Sequence, residues 1–312
     1  MSMSVFKNLV DVFRPKRWYR NLTMVLGTVI ALKVLHIGAH TALSGALVTH
    51  FALALAGVCL IASGNYGINE VLDAEADRHH PEKKNRAIPS GRVSAKLVIC
   101  LSIAWYVIGL GLVALNHNIA LVISATLLLV SGLVYNVPPI RLKDRAFIDF
   151  TSEALNNPIR FMIGWYAVAT SHEIVPASFV LGYWFLGIFL MAAKRFGEIR
   201  VINNSSKAKK YRLSLAHYTE ENLLMAMIAG LTAFSYMLGA LSLKYSVDVI
   251  LVLPFIVVWV VWFFALAFEK NTIVISPERI FEKKRFASFS VVTLAVFLFF
   301  FYTGDQLLGW VK

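Results

Sequence analysis

The amino-acid sequence predicts an all-α fold, a polytopic membrane bundle of about nine transmembrane helices. Three observations carry this. Hydrophobic residues make up 58% of the chain and charged residues only 15%, with a mean hydropathy of +0.67. Soluble domains hold about 45–50% apolar and about 25% charged residues. Nine apolar stretches approach the length of about 20 residues that crosses a bilayer: 21–37, 42–66, 95–115, 118–137, 147–170, 175–195, 222–243, 248–268 and 286–304. Finally, with the amino terminus in the cytoplasm, 26 of the 30 Lys and Arg fall on that one side, in the segments 1–20, 78–96, 141–145, 194–212 and 270–285. That is the asymmetry of a positive-inside protein.

The net charge of +12 is therefore set by topology, and no nucleic-acid partner is expected. The expected location is an inner, cytoplasmic-type membrane with the polar face toward the cytoplasm. Residues 1–312 read as a single integral-membrane domain, without a soluble module or a short-period repeat. No cleavable leader is expected, because the first stretch follows a basic, Pro-containing segment. Cys59 and Cys100 both lie in apolar stretches and read as packing residues rather than a disulfide.

Taken in order, residues 1–20 form a basic interfacial lead-in. Val12 and Phe13 stand beside Lys16, Arg17, Trp18 and Arg20, an amphipathic pattern with an aromatic anchor. The second stretch ends in Asn69-Glu70-Val71-Leu72-Asp73-Ala74-Glu75-Ala76-Asp77. Asn69, Asp73 and Asp77 are spaced by four, so on a helix they share a face. Such a column of oxygen-bearing side chains is tolerable when a hard divalent cation, Mg²⁺ with phosphate, sits among them. Glu75 falls off that face. The following loop, Arg78 to Gly91, supplies Lys83 and Arg86, cations suited to phosphate oxygens. The adjacent His79 and His80 read as a surface pair. After the fourth stretch, Tyr135-Asn136-Val137-Pro138-Pro139-Ile140-Arg141-Leu142-Lys143 ends a helix at Pro-Pro. It directs Arg141 and Lys143 to the same rim, either as phosphate contacts or as incidental charge in a turn.

The fifth stretch is unusually polar, with Asp149, Glu153, Asn156, Asn157 and Arg160. Arg160 and Glu153 are seven apart and share a helical face, so Arg160 pairs with Glu153 or reaches phosphate from the deep side. After the sixth stretch come Lys194-Arg195-Phe196-Gly197-Glu198, then Lys209-Lys210-Tyr211-Arg212 and His217-Tyr218-Thr219. The last three stretches carry only hydropathy. All the polar clusters thus converge on one rim, which suits a substrate with a charged head and a long lipid tail.

The string Asn-x-x-x-Asp-x-x-x-Asp, a basic loop and Arg86-Ala87-Ile88-Pro89-Ser90-Gly91 resembles the first aspartate-rich motif of the UbiA superfamily of intramembrane prenyltransferases. Arg14-Pro15 with Trp18, Arg20 and Asn21, and the Tyr-x-x-Pro-Pro-x-Arg-x-Lys turn, are similar to that family as well. The matching features run from about residue 14 to about 220. The resemblance implies nine spans, a cytoplasmic cavity, Mg²⁺ as cofactor and a polyprenyl substrate in contact with membrane lipid. A second aspartate-rich motif, usual in ring prenyltransferases of the family, is missing. Lys194-Arg195-x-x-Glu198 with Tyr218-Thr219 resembles instead the polyprenyl-phosphate phosphoribosyltransferase branch.

The expected site follows. Asn69, Asp73 and Asp77 bind the metal. Asp73, Asp77, Lys194 and Glu198 act in catalysis, with Glu198 on a second ion or a ribose hydroxyl. Arg20, Lys83, Arg86, Arg141, Lys143, Arg160, Arg195 and Tyr218 bind phosphate and substrate. The partners are a polyprenyl lipid and either phosphoribosyl diphosphate or a prenyl diphosphate. Three functions remain open at this point: phosphoribosyl transfer to a polyprenyl phosphate, prenyl transfer to a small acceptor, and transport of an anionic solute.

Overall fold

A computed structural model describes residues 3–42, 44–78, 83–202, 212–269, 272–275 and 282–309. Helices follow one another throughout, and no strand occurs among these residues. They are α1 (Met3–Phe13), α2 (Met24–Val34), α3 (Ala39–Ala42), α4 (Gly45–Arg78), α5 (Ala95–Ala114), α6 (Ile119–Asn136), α7 (Ile148–Tyr166), α8 (Ala177–Ile202), α9 (Glu220–Tyr245), α10 (Leu253–Phe268) and α11 (Lys284–Thr303).

Seven helical segments among the described residues are long and apolar enough to span a membrane: α4, α5, α6, α8, α9, α11 and Val247–Phe268, which contains α10. The other two expected spans depart from a simple crossing helix. The first is a 3-10 turn, Pro15–Thr23, followed by the 11-residue α2, only about 16 Å long. The fifth is α7, whose 19 residues include Asp149, Glu153, Arg160 and an internal Pro158. The first falls short by length, and in α7 the charged residues and Pro158 interrupt the apolar run.

The chain forms two compact units. One is Met1–Lys143 with Leu155–Val175; the other is Asp144–Ala154 with Pro176–Lys312.

In the first unit, α4 is the organising element. Its 34 residues rise about 51 Å, well beyond the about 30 Å of hydrocarbon. The surplus turns at its carboxyl end carry Asn69 to Arg78. Close packing in lipid relies on small residues, and two crossings show it. A Cβ on Gly57 of α4 would lie 2.5 Å from the Gly109 carbonyl oxygen of α5. A Cβ on Gly164 of α7 would lie 1.8 Å from the Met24 carbonyl oxygen of α2. Helix α1 lays Leu9, Val12 and Phe13 against Ala87, Ile88, Val93 and Val98. The Phe13 ring meets Trp105 edge-on at 6.0 Å. Trp18 is half-exposed, and its indole N–H donates to Ser63 Oγ at 2.9 Å.

In the second unit, α8 packs along α9. Phe189, Phe196, Phe263 and Phe286 are buried in one apolar cluster. Helix α9 opens on a capping box: the Thr219 side chain accepts from the Asn222 N–H, and the Asn222 side chain accepts from Thr219 N–H. Asp248 is fully buried and accepts from the N–H groups of Gln306, Leu307 and Leu308. It thereby satisfies backbone donors that lipid could not. Cys59 is buried and Cys100 exposed, and both are free thiols.

Candidate active site

The end of α4 places the three expected metal ligands on successive turns, but their partners divide them. Asn69 Nδ2 donates to Asp73 Oδ2 at 3.2 Å and also to Asn136 Oδ1 at the end of α6. Asp73 Oδ1 accepts from Lys143 Nζ at 2.6 Å and Arg141 Nη2 at 3.0 Å. Asp77, four residues on, is buried and accepts from Arg86 Nη1 at 2.7 Å. The column is therefore two ion-pair clusters rather than one cage. A step of four residues rotates the helix by about 40°, and over eight residues that turns Asp77 away from Asn69.

The turn after α6 brings its cations onto Asp73 because the helix stops at Asn136. Pro138 and Pro139 follow, and Arg141 takes a left-handed conformation at φ 34°. Lys143 is buried, and its ammonium bonds Asn136 Oδ1 at 3.1 Å as well as Asp73. A buried ammonium without such partners would be costly. The Pro-Pro turn thus brings both of its cations into contact with Asp73 on α4.

The donor set fits Mg²⁺ of one particular kind. Asn69 spends its amide NH₂ on two neighbours, which leaves its carbonyl oxygen as the hard ligand beside the Asp73 carboxylate. Among the described residues no three His, Cys, Asp or Glu side chains form a cluster able to hold a metal alone. Mg²⁺ commonly takes one or two carboxylates and completes its shell with water and substrate phosphate. Asn69 and Asp73 match an ion that arrives with a diphosphate.

Arg160, on α7, donates Nε to Asn21 Oδ1 at 2.8 Å and Nη1 to the Asn156 carbonyl oxygen at 3.3 Å. Asn21 in turn donates to Cys59 Sγ at 3.3 Å. Arg20 lies in the last turn of the 3-10 segment. Lys83 begins a short 3-10 turn, Lys83–Asn85, and its side chain lies outside the described residues, as do His79, His80, Lys209, Lys210 and Tyr211. Glu75 pairs with Arg78 at 2.9 Å on an exposed face, off the column as its spacing indicated.

The second unit holds its own polar cluster, centred on a residue that the sequence marked only as polar. Asp149 is fully buried. It accepts from Arg195 Nε at 2.8 Å, Arg212 Nη1 at 3.1 Å and Ser214 Oγ at 3.0 Å, and from the Tyr218 hydroxyl. Arg195 is also fully buried, and its remaining nitrogens bond Glu198 at 3.0 Å and Glu153 at 2.7 Å. Lys194 bonds the other Glu153 oxygen at 3.1 Å.

This revises three expected roles. Arg195 is a buried hub for three carboxylates, not a cation presented to phosphate. Glu198 is buried against it. Tyr218 donates to Asp149, accepts from the Phe147 N–H at 2.7 Å and so fixes the start of α7. Burial first, and then the Asp149 charge and hydrogen bond, push the Tyr218 phenol above its ordinary range, so it stays neutral. Lys194 is partly exposed and pairs with Glu153.

Sequence reasoning missed Asn65, Asn136 and Glu70. Asn65 extends the fourfold spacing one turn deeper. It accepts from the Tyr106 hydroxyl at 2.8 Å and donates to the Leu128 carbonyl at 3.2 Å. Its signal was present, four residues before Asn69. Glu70 is buried and pairs with Arg14 at 3.2 Å. Nothing local in the sequence joins those two residues, 56 positions apart.

Comparison with known proteins agrees with this architecture. The model of the UbiA prenyltransferase family matches residues 23–275. The chain is 28% identical over 258 residues to the decaprenyl-phosphate phosphoribosyltransferase of Corynebacterium glutamicum, covering 78% of this chain and 71% of that one. It is 45% identical to the digeranylgeranylglyceryl phosphate synthase of Saccharolobus solfataricus, but over 78 residues, 25% of this chain and 26% of that one. Among solved structures, a UbiA homologue from Archaeoglobus fulgidus bound to DMAPP and Mg²⁺ superimposes with a TM-score of 0.70 at 17% identity, over 96% of this chain and all of that one. The transporter reading falls with these findings. The family model takes in every span from α4 to Val247–Phe268, and this chain is an integral-membrane transferase that belongs to the UbiA prenyltransferase family.

Proposed function

We propose that the protein transfers phosphoribose from phosphoribosyl diphosphate to a polyprenyl phosphate, in a Mg²⁺-dependent reaction at the cytoplasmic face of an inner membrane. The observation that carries this reading is the breadth of likeness to decaprenyl-phosphate phosphoribosyltransferases, at 28% identity over roughly three-quarters of both chains. The cluster around Arg195 supports it. Lys194, Arg195 and Glu198 stand where a ring prenyltransferase would carry its second aspartate motif.

Asn69 and Asp73 would hold the ion, while Asp77 on the next turn would hold Arg86 in place; the ion would supply charge neutralisation at the diphosphate oxygens. Arg86, Arg141 and Lys143 already stand within hydrogen-bond reach of these carboxylates. They would turn their donors to diphosphate, with Lys83, Arg20 and Arg160 adding positive charge. Within the second unit, Lys194 is held by Glu153 and would be a cation for phosphate. The bond from ribose C1 to the diphosphate oxygen breaks, and a lipid-phosphate oxygen bonds to C1. That oxygen is anionic near neutral pH, so no general base is required. A recessed site keeps water from the cation-like carbon.

One observation favours a second reading. The 45% identity to a digeranylgeranylglyceryl phosphate synthase over 78 residues supports prenyl transfer from a prenyl diphosphate. One experiment separates them. Protein in lipid nanodiscs with Mg²⁺ receives radiolabelled phosphoribosyl diphosphate and polyprenyl phosphate, or a prenyl diphosphate with glyceryl-phosphate or aromatic acceptors. A phosphoribosylated lipid is the expected product; prenylated acceptor without it overturns the first reading.

A further inference from the structure

Helix α7 carries two adjacent amides, Asn156 and Asn157, and their surroundings differ. Asn156 Oδ1 accepts from Ser131 Oγ of α6 at 3.4 Å, and its backbone carbonyl accepts from Arg160. Asn157 is half-buried and has no hydrogen-bond partner among the described residues. A primary amide brings two donors and an acceptor, and lipid satisfies none of them. A polar side chain left unpaired beside a paired one, within a membrane bundle, marks a place for a ligand. Its position follows from the contacts around it. Ser131 lies five residues before Asn136 on α6, about 7.5 Å along the helix from the Asn136–Asn69 contact,. Asn157 and Gly164, seven apart on α7, fall within about 20° of each other around the helix axis. Gly164 lies directly against the Met24 backbone of α2, and Arg160, between them in sequence, bonds Asn21 just before α2. Asn157 therefore stands on the side of α7 that packs on α2, about one and a half turns deeper than Asn69.

We infer that Asn157 reads a hydroxyl of the donor's sugar and so selects a ribosyl donor over a hydrocarbon one. The inference rests on the proposed function. With the diphosphate at Asn69 and Asp73, the next part of the donor inward is the group bonded to it. In phosphoribosyl diphosphate that group is a ribose, whose hydroxyls each donate and accept, as an amide does. In a prenyl diphosphate it is a hydrocarbon chain, which would strip water from Asn157 and return no hydrogen bond. The charges around the leaving group cannot tell these donors apart, because both present the same diphosphate. Discrimination has to come from the group behind it, and Asn157 is an unspent polar side chain at that depth. It is a specificity residue, and no chemical step passes through it.

The test reads donor binding, with no acceptor present. Protein in nanodiscs with Mg²⁺ is titrated calorimetrically with phosphoribosyl diphosphate, its 2-deoxy and 3-deoxy analogues, and geranyl diphosphate. Wild type is expected to bind the ribosyl donor about tenfold better than one or both deoxy analogues, the worth of one hydrogen bond to a buried amide. Asn157→Leu and the smaller Asn157→Ala are expected to bind all three alike, and to hold geranyl diphosphate at least as well as wild type does. Neither substitution removes a protein contact of the amide, so neither should lower the unfolding midpoint. Equal binding of the three ribosyl ligands by wild type, or a tenfold difference kept in both variants, would overturn the inference and leave the proposed function standing. Wild type that takes geranyl diphosphate alone would overturn the proposed function, and the inference with it. A lowered midpoint together with loss of every ligand would give Asn157 a structural role and overturn the specificity assignment.

Discussion

Asp73→Asn separates the structural and chemical roles of the acidic helix when it is combined with Lys143→Met. Spacing alone suggests that the single substitution would abolish activity and leave folding intact. The structure says otherwise. Lys143 Nζ lies 2.6 Å from Asp73, and the lysine side chain is 7% exposed against 24% for the aspartate. Removing the carboxylate leaves a buried ammonium facing neutral amide oxygens and the Arg141 cation. Breaking a buried pair costs about 3–5 kcal/mol; with Asp73 a quarter exposed, about 2–3 kcal/mol is expected. Loss of one preorganised charge at a diphosphate costs about 10²–10³ in rate, as for an oxyanion-hole donor. The double variant removes both members, so stability should return to within about 1 kcal/mol of wild type. Initial rates in nanodiscs and denaturant unfolding of all four proteins complete the cycle. In the Lys143→Met background, Asp73→Asn should still cost at least about 10² in rate. If it costs nothing there, Asp73 serves only to neutralise Lys143, and the proposed metal role is refuted.

The remaining predictions concern the scaffold. Asp149→Asn should destabilise by about 3 kcal/mol, because Arg195 and Asp149 are both fully buried; Glu220→Gln, which loses only an exposed pair with Arg200, should cost under about 1 kcal/mol, both read from unfolding in detergent. Tyr218 has its phenol raised by burial and by Asp149, so its contribution is complete below the ordinary tyrosine value of about 10. That contribution is lost as pH rises from there toward the folded value, and Tyr218→Phe should flatten that alkaline fall in unfolding midpoint. Gly164→Ala forces a Cβ to 1.8 Å from the Met24 carbonyl and should destabilise by at least about 2 kcal/mol. Gly111→Ala, with nothing within 4 Å, should be neutral or gain up to about 1 kcal/mol.

The class of fold was legible because hydropathy and positive-inside charge are sums over many residues. The fourfold spacing at Asn69, Asp73 and Asp77 was legible because helical geometry is local. What spacing cannot carry is the choice of partner. Asp73 selects Lys143 and Arg141 about 70 positions away, while Asp77 selects Arg86 in the next loop. The same limit hid Asp149. Within a helix it reads as one acid among several, and its role appears only when the residues from Arg195 to Tyr218 fold back on it. Arg195 was misread for a complementary reason: a basic pair at a span's end looks like a phosphate ligand until burial shows which of the two is committed. Lys194 and Arg195 are neighbours in sequence, yet their side chains are 19% and 1% exposed.

That division has a chemical consequence for how such a site can wait for substrate. Cations recessed near a membrane are costly when unpaired, and a pocket of bare Lys and Arg would lose part of its charge or its fold. Here Asp73 accepts from Arg141 and Lys143, and Asp77 from Arg86, so each cation already has an acceptor and an orientation. On the proposed function, a diphosphate would offer those donors oxygens of the same kind, and the Asp73 carboxylate released from them would be available to an accompanying Mg²⁺. The exchange substitutes one set of charge-assisted hydrogen bonds for another. Little new charge has to be stripped of water, and binding energy goes to positioning the reacting bond instead. The helix that supplies the carboxylates is also the longest among the described residues, held to its neighbour at Gly57 and Gly109. The cations of these pairs sit on the turn after α6 and the loop after α4, while Asp73 and Asp77 sit on the helix itself.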